Sequence, residues 1–328
     1  MTLTIKKWFA SGTRVPLTLP SGKPFEIFYK VLPIPTKNAA ENGNWVTMVH
    51  GFPTSSFDWI PVIESIRKNF RQGTQEGALQ CLVLDLLGFG ESDKPNNHTY
   101  SIYEQADIII ALWRHLGITT TKIVAHDYGV SVMQEVLARL QEAFTSGVPA
   151  ISHLVFLNCG FFPDLHRPIL VQKLLLNDWI GPAIPYVITK AAFSQQMASV
   201  ISPEHPLTAE EMHELWIGIE NRGGTYIYHR LIRYIEDRKL NQVRWERSLR
   251  WVIETNLGSR GTEVEGVASR VGFIWGMVDP VSGAHVAEYL HESFGNRLLI
   301  QKLPDVGHFP QLEAPNRVAS FVEKVLEI

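Results

Sequence analysis

Apolar and polar positions in the first 160 residues follow two alternating patterns. Short, nearly continuous apolar runs are typical of strands buried on both faces. Longer segments with apolar residues every three or four positions separate them and indicate helices. The predicted strands are FEIFYKVL, NWVTMVHG, LQCLVLDLLG, KIVAHD and SHLVFLNCG, and the predicted helices are FDWIPVIESIRKNF, SIYEQADIIIALWRHLG and GVSVMQEVLARLQEAF. Strands that alternate with helices predict an α/β fold with a mainly parallel sheet covered on both faces.

The pattern changes at residues 161–250, where strand-like runs disappear and prolines, aromatic residues and helical periodicity dominate. The strand–helix alternation then returns in RVGFIWGMVD, AHVAEYLHESF, RLLIQKLPD and RVASFVEKVLE. We therefore expect one core domain formed by residues 1–160 and 251–328, interrupted by a helical cap at residues 161–250. Ligands bind at the carboxyl ends of strands in open α/β sheets, so we expect the cap to cover that edge.

Asp127 lies at a position that suits a nucleophile. It follows the predicted strand KIVAH directly and precedes a helix, which is the strand–turn–helix context of a nucleophile elbow. Ala125 and Gly129 lie two residues before and after it, where a sharp turn requires small residues. An aspartate that only caps the following helix would give the same local pattern. The turn alone therefore leaves both interpretations open.

Two later sites favour the catalytic interpretation. Asp279 lies just beyond a buried strand in FIWGMVDPV, and His308 lies in a loop after the next strand. Nucleophile, acid and histidine thus occur in the chain order of an α/β-hydrolase triad. HGFP at residues 50–53 follows another buried strand. The backbone N–H groups of Phe52 and Tyr128 are expected to form an oxyanion hole there.

Motifs along nearly the whole chain resemble a known family. HGFPTSSFDW, LDLLGFGESDKP, HDYG, GMVDPV and GHFPQLEAP are similar to the α/β-hydrolase branch that contains epoxide hydrolases and haloalkane dehalogenases. EQADIIIALWRHLG and HRPILVQKLL extend the resemblance to the mesoderm-specific transcript proteins. The resemblance implies an α/β-hydrolase core with a mostly parallel eight-stranded sheet and a helical cap. It also implies Asp127 as nucleophile, Asp279 as acid and His308 as base.

A carboxylate nucleophile restricts the chemistry. Aspartate has an ordinary pKa of about 3.9, so it is already ionised at neutral pH. It attacks carbonyl carbons poorly, but it can displace a leaving group at a saturated carbon and form an alkyl ester. His308, oriented by Asp279, would then activate the water that hydrolyses this ester. These steps predict epoxides or alkyl halides as substrates rather than carboxylic esters.

The residues around the nucleophile favour epoxides. Haloalkane dehalogenases usually hold the departing halide with a tryptophan after the nucleophile and, in many cases, an asparagine after His-Gly. Tyr128 and Phe52 occupy these positions here. Epoxide hydrolases protonate the epoxide oxygen with two cap tyrosines, and Tyr234 is the best positional match. The other cap tyrosines are Tyr186, Tyr226 and Tyr228, and packing within a helix would explain any one of them.

The leading prediction is therefore an epoxide hydrolase that acts on a small apolar organic substrate. One alternative is a haloalkane dehalogenase with an atypical halide site, built from cap tryptophans such as Trp179 or Trp216. The other is a hydrolase fold that serves as a binding protein. The sequence contains no metal-ligand spacing and no nucleotide-binding glycine pattern, so we predict no cofactor and no metal.

Composition adds expectations about partners and location. The 30 basic and 33 acidic residues give a net charge of -3, which argues against nucleic acid or an anionic membrane surface as the main partner. Cys81 and Cys159 lie within apolar runs and are expected to be buried thiols in a reducing compartment. No apolar run is long enough for a signal peptide or a membrane span, so we expect a cytoplasmic protein. The sequence carries no signal for an oligomeric state.

Overall fold

The computed structural model describes residues 3–36, 45–71, 77–142, 148–258, 270–295 and 298–328. The strands within these ranges are β1 (Thr13–Thr18), β2 (Pro24–Thr36), β3 (Trp45–Val49), β4 (Gly77–Leu84), β5 (Thr120–His126), β6 (Ala150–Leu157), β7 (Arg270–Gly276) and β8 (Leu299–Leu303). They form one eight-stranded sheet in the order β1-β2-β4-β3-β5-β6-β7-β8. β2 runs antiparallel to β1 and β4, and the other pairs are parallel. The expected mostly parallel sheet is confirmed.

Helices in the described residues connect these strands. They are α1 (Ile5–Ala10), α2 (Ile60–Arg71), α3 (Ile102–His115), α4 (Tyr128–Gln141), α5 (Leu170–Leu176), α6 (Lys190–Ala198), α7 (Ala209–Glu220), α8 (Tyr228–Leu231), α9 (Tyr234–Leu240), α10 (Gln242–Gly258), α11 (Ala284–Phe294), α12 (Pro310–Glu313) and α13 (Pro315–Leu326). Short 3₁₀ helices lie at Ser56–Trp59, Pro163–Leu165, Gly181–Tyr186 and Asn221–Ile227.

Helices pack on both faces of the sheet, which explains the apolar character of the parallel strands. Side chains of α2 and α13 form one buried cluster, and side chains of α3, α4, α10 and α11 contribute to another. Neighbouring residues of β5 enter opposite clusters: Ile123 joins the second and Val124 the first. Because both faces are covered, successive positions must be apolar, and the strand reads as a continuous run.

The edge strand β1 and the helix α1 are not predicted by the sequence patterns. In TRVPLT only Val15 and Leu17 are buried, and the strand pairs with β2 alone. Pro16 lacks the N–H that a central strand needs, and an edge strand tolerates it. A short edge strand with few buried positions gives too weak a signal to recognise from the sequence.

The described residues between β6 and β7 form helices joined by loops, and they contain no strand. Helix α10, however, crosses the boundary expected at residue 250 and packs against α4 of the core. Trp245 Nε1 in α10 donates a hydrogen bond to Glu135 of α4 at 2.9 Å. The division into core and cap therefore stays a prediction, and its second boundary falls within a continuous helix.

Two other expectations concern thiols and membrane segments. Cys81 and Cys159 are both free and buried, which confirms that they are not joined in a disulfide. Among the described residues, no helix combines the length and the apolar character needed to cross a membrane.

Candidate active site

The predicted catalytic residues meet at the carboxyl edge of the sheet. Asp127 directly follows β5, Asp279 follows β7, His308 follows β8, and Phe52 follows β3. These four strands are parallel, so their carboxyl ends open onto the same side of the sheet. The topology alone thus brings together residues that are far apart in sequence.

The turn at Asp127 is strained and closely packed. Asp127 has φ 42° and ψ -105°, a conformation that residues other than glycine rarely adopt. A Cβ atom on Gly129 would lie 2.7 Å from the carbonyl oxygens of Val49 and His50, so only glycine fits there. Asp127 occupies the N-cap position of α4, yet its side chain makes no capping hydrogen bond. A strained residue without a capping role is typical of a functional site.

Two groups hold the Asp127 carboxylate. The Phe52 N–H donates to Oδ2 at 3.2 Å, as expected of an oxyanion-hole donor. Arg238 Nη2 donates to Oδ1 at 3.1 Å and to the Asp127 carbonyl oxygen at 3.2 Å. Arg238 Nε donates to Ser131 Oγ at 2.7 Å, so α4 in turn orients the guanidinium group. Asp127 and Arg238 thus form a salt bridge in which both side chains are buried.

The ion pair controls the charge of Asp127. Burial would raise the pKa of Asp127, but the positive charge of Arg238, followed by His308 and His126, outweighs burial and lowers this pKa below its ordinary value. Asp127 is therefore ionised in the resting site. Sequence reasoning missed Arg238, because an arginine in the charged helical run RYIEDRKL looks like part of a solvated helix face.

His308 and Asp279 form a hydrogen-bonded pair. His308 Nδ1 donates to Asp279 Oδ2 at 2.8 Å. The other ring nitrogen, Nε2, is therefore the one that can exchange a proton with water. The same carboxylate accepts hydrogen bonds from Asn158 Nδ2 at 2.9 Å, from Ser282 Oγ at 2.8 Å and from the Val281 N–H at 2.8 Å. These donors keep Asp279 fixed and ionised, so it can orient the imidazole of His308.

The charges in the site act on each other. Burial would raise the pKa of Asp279, but His308 outweighs burial and holds this pKa well below its ordinary range. Burial would lower the pKa of His308, but the carboxylates of Asp279, Asp127 and Glu313 raise it to about 9. In the resting site His308 is therefore protonated and lies between ionised carboxylates.

A second histidine supports the catalytic loop. His126 Nε2 donates to the carbonyl oxygen of His308 at 2.8 Å, and its Nδ1 accepts from Gln311 Nε2 at 3.0 Å. Burial is the main cause that lowers the pKa of His126, to about 3, so this ring stays neutral. His126 directly precedes Asp127, and it thereby connects the nucleophile turn to the histidine loop.

Asn158 makes a similar connection between the nucleophile and the acid. Its carbonyl oxygen accepts from the Asp127 N–H at 3.2 Å. Its side chain bonds both the N–H and the carbonyl oxygen of Gly276, at 2.6 and 2.9 Å, as well as Asp279. The sequence NCG after a predicted strand gave no reason to expect this role.

A cavity of about 320 Å³ opens beside Asp127 and His308. Its volume lies at the lower end of the range of about 300–1,000 Å³ typical of small-molecule sites. Apolar side chains from the segment between β6 and β7 contribute most of the lining, among them Leu174, Leu175, Ile184, Ile188, Phe193 and Val200. The site therefore combines the predicted catalytic side chains of Asp127 and His308 with an apolar chamber.

The cap tyrosines differ in their relation to this cavity. Tyr234 is buried outside the lining; its ring lies 4.8 Å from that of Tyr128 and 4.5 Å from the guanidinium carbon of Arg238. Tyr228 does line the cavity, and its hydroxyl donates to the Pro53 carbonyl oxygen at 3.3 Å. Of these two tyrosines, Tyr228 lines the cavity and Tyr234, the residue predicted from the sequence, does not.

The two tryptophans considered for substrate binding also lie outside the lining. Trp179 is 92% exposed on a surface turn. Trp216 is buried in α7 and packs on Phe193, with ring centroids 5.7 Å apart. Trp179 lies on an exposed turn before the 3₁₀ helix, and Trp216 contacts the cavity-lining Phe193 without lining the cavity itself.

The fold and the site define a hydrolase of the α/β class, and comparisons with known proteins agree. The sequence profile of the alpha/beta hydrolase family matches residues 48–321, and the chain belongs to this family. The chain is 36% identical to the mesoderm-specific transcript homolog protein of Bos taurus over 274 aligned residues. This alignment covers 82% of this chain and 75% of the Bos taurus protein. The predicted membership and the relationship to mesoderm-specific transcript proteins are confirmed.

Solved structures show the same fold. The haloalkane dehalogenase DbeA from Bradyrhizobium elkani is similar with a TM-score of 0.66 and 19% identity, over 97% of this chain and 99% of that chain. The epoxide hydrolase CorEH is similar with a TM-score of 0.61 and 15% identity, over 97% and 99% of the two chains. At sequence identities of 19% and 15%, the similarity to these two structures shows a shared fold alone.

Proposed function

We propose that this protein is an epoxide hydrolase that forms a covalent alkyl ester on Asp127. The observation that carries the proposal is the ionised Asp127 carboxylate at the apolar cavity, together with the His308–Asp279 pair beside it. An ionised carboxylate suits attack on a saturated carbon, and an apolar cavity suits a substrate without charge.

Ring opening begins at Asp127 Oδ1. Oδ2 already accepts from the Phe52 N–H, so we assign Oδ1 to the attack on the epoxide carbon. Arg238 keeps this oxygen oriented and ionised. As the new C–O bond forms, the epoxide C–O bond breaks and its oxygen takes a proton from Tyr228. Burial raises the pKa of Tyr228 well above its ordinary value, so the hydroxyl carries its proton until then.

Ester hydrolysis follows from the change in charge. Esterification removes the negative charge of Asp127, which is one of the causes of the raised pKa of His308. The pKa of His308 therefore falls, and its proton returns through water to the Tyr228 phenolate. Neutral His308 then takes a proton from the attacking water. The oxyanion forms on Oδ2, where the N–H groups of Phe52 and Tyr128 are expected to stabilise it. When this intermediate collapses, the Cγ–Oδ1 bond breaks and the departing alkoxide takes the proton of the added hydroxyl group. Release of the diol leaves Asp127 ionised and His308 protonated, as at the start.

The cavity favours this reaction over dehalogenation. A departing halide needs N–H donors that converge on it. Neither Trp179 nor Trp216 lines the cavity, and the part of the chain that the structure describes places no other tryptophan there. An epoxide needs one proton donor instead, and Tyr228 is in the cavity.

The test is intact-mass spectrometry of a His308→Gln variant incubated with a panel of epoxides and a panel of haloalkanes. The first step should survive and the second should stall, so we expect a stable adduct with the mass of the intact epoxide. A His308→Gln/Asp127→Asn variant is the matched control and should show no adduct. An alkyl adduct from haloalkanes alone would indicate a dehalogenase. No adduct and no wild-type turnover in either panel would indicate a binding protein. Wild-type activity on acyl esters alone would overturn the carboxylate mechanism.

A further inference from the structure

The cap exposes several large apolar side chains around the opening of the cavity. We call them the mouth patch: Leu170, Trp179, Ile180, Tyr186, Val187 and Tyr226, which are between 45% and 92% exposed. Single exposed apolar side chains are common on protein surfaces, whereas a contiguous group of them marks an interaction site.

The mouth patch is continuous with the cavity. Leu170 and Val187 line the cavity and are also 69% and 70% exposed, so they mark its entrance. The short helix Gly181–Tyr186 packs against α5, which carries Leu170. At its end the ring of Tyr186 lies 5.7 Å from the ring of Tyr226. An apolar surface therefore leads directly into an apolar chamber.

A defined turn presents Trp179 to solvent. Asn177 Oδ1 accepts hydrogen bonds from the N–H groups of Trp179 and Ile180 at 3.0 and 2.9 Å. The Gly181 N–H bonds the Asn177 carbonyl oxygen at 2.8 Å. A hydrogen-bonded turn of this kind holds the tryptophan outward, although its large apolar area would favour burial in the cap.

The chain segment that carries most of the patch has more basic than acidic residues, in contrast to the net charge of the whole chain. Residues 169–193 contain three ionisable side chains other than tyrosine: Lys173, Asp178 and Lys190. Asp178 is paired with Arg233, whereas none of the ion pairs among the described residues involves either lysine. Trp and Tyr side chains bordered by lysines suit the boundary between apolar and charged layers of an anionic lipid surface.

We propose that the mouth patch docks on an anionic lipid surface, from which a lipid-soluble substrate enters the cavity. Trp179 and its apolar neighbours enter the boundary of the acyl layer, while Lys173 and Lys190 contact the anionic headgroups. Docking does not depend on which bond is broken at Asp127, so it can be tested separately from the reaction.

The test is cosedimentation of the full chain with vesicles of phosphatidylcholine and phosphatidylserine, compared with vesicles of phosphatidylcholine alone. We expect wild-type protein to bind the anionic vesicles more strongly. Trp179→Ser should weaken this binding about tenfold, because the variant loses the burial of a large apolar side chain. Lys173→Gln/Lys190→Gln should remove the preference for phosphatidylserine, since each lysine near the surface contributes about a fivefold effect.

The matched control is a pair of valines. Val187→Ser removes an apolar residue of the mouth patch that is 70% exposed, and Val243→Ser removes one on α10 that is 81% exposed and outside the cavity lining. Only Val187→Ser should weaken binding. Any of three outcomes would overturn the proposal. They are equal losses of binding in both valine variants, no binding of the wild-type protein to either kind of vesicle, and a wild-type dimer that Trp179→Ser converts to a monomer. Vesicle binding without epoxide turnover would refute the proposed reaction and leave docking intact.

Discussion

Replacing Arg238 with methionine tests the central ion pair of the site. The substitution keeps most of the aliphatic stem but removes the partner of a carboxylate whose side chain is only 6% exposed. Removing one partner of a buried pair costs about 3–5 kcal/mol in the free energy of unfolding. Asp127 retains the Phe52 N–H and can be neutralised by a proton, so we expect a loss of about 3 kcal/mol at neutral pH, the lower end of that range.

The loss should depend on pH. In the wild-type protein the pKa of Asp127 is lowered in the folded state. The ion pair therefore stabilises the fold at pH values above 3.8, the ordinary pKa of the carboxyl group. This stabilisation disappears as the pH falls through the lowered pKa. In Arg238→Met the largest cause that lowers the pKa is gone, and burial acts against the charged form. The difference in stability between wild type and variant should therefore be widest near neutral pH and should narrow below about pH 4.

Urea unfolding of wild type, Arg238→Met, Asp127→Asn and the double variant measures the coupling directly. We expect Arg238→Met to cost about 2–3 kcal/mol less in the Asp127→Asn background, because the charge that it leaves unpaired is absent there. If the cost were the same in both backgrounds to within about 0.5 kcal/mol, the two side chains would not be energetically coupled. Arg238 would then serve packing rather than the charge of the nucleophile.

Three further predictions concern catalysis and the nucleophile turn. Tyr228→Phe should slow ester formation from epoxides about 10²–10⁴-fold in single-turnover assays. Tyr289→Phe, on α11 and outside both the lining and the mouth patch, should leave the rate unchanged, and equal rates in both variants would exclude Tyr228 as the acid. The hydrolysis rate of the Asp127 ester should rise with pH and reach half its maximum below pH 9. In the free protein the charge of Asp127 helps to raise the pKa of His308 to about 9, and the ester lacks this charge. A midpoint at or above pH 9 would contradict the mechanism. Gly129→Ala should lower the free energy of unfolding by about 1–3 kcal/mol, since its Cβ would collide with two backbone carbonyls. An unchanged thermal midpoint would show that the turn can relax.

The positions of the predicted catalytic residues could be read from the sequence because their signals are local. Asp127 and Asp279 follow the largely buried strands β5 and β7, and His308 follows the edge strand β8. A parallel sheet then requires these strand ends to meet at one edge, whatever the length of chain between them. Their geometry therefore follows from short sequence patterns and one rule of topology.

The cap side of the site could not be predicted in the same way. Tyr228 and Tyr234 lie in the neighbouring short helices α8 and α9, and both are buried, so the sequence pattern does not distinguish them. Only Tyr228 lines the cavity, and this depends on how the two helices pack. Arg238 reaches Asp127 only through the packing of α9 on the core. No local pattern reports such a contact.

Helix α10 has a consequence for exchanging parts between related hydrolases. Arg244 and Trp245 both bond Glu135, and Ser248 bonds the Gln134 carbonyl oxygen, so the last helix before β7 is joined to α4. A chimera that replaced residues 161–250 would cut this helix and remove Arg244 and Trp245, two of the partners of Glu135. A graft of residues 161–241 would keep α10 with its own core. The useful unit of recombination is therefore shorter than the stretch of helical sequence that first marks the insertion.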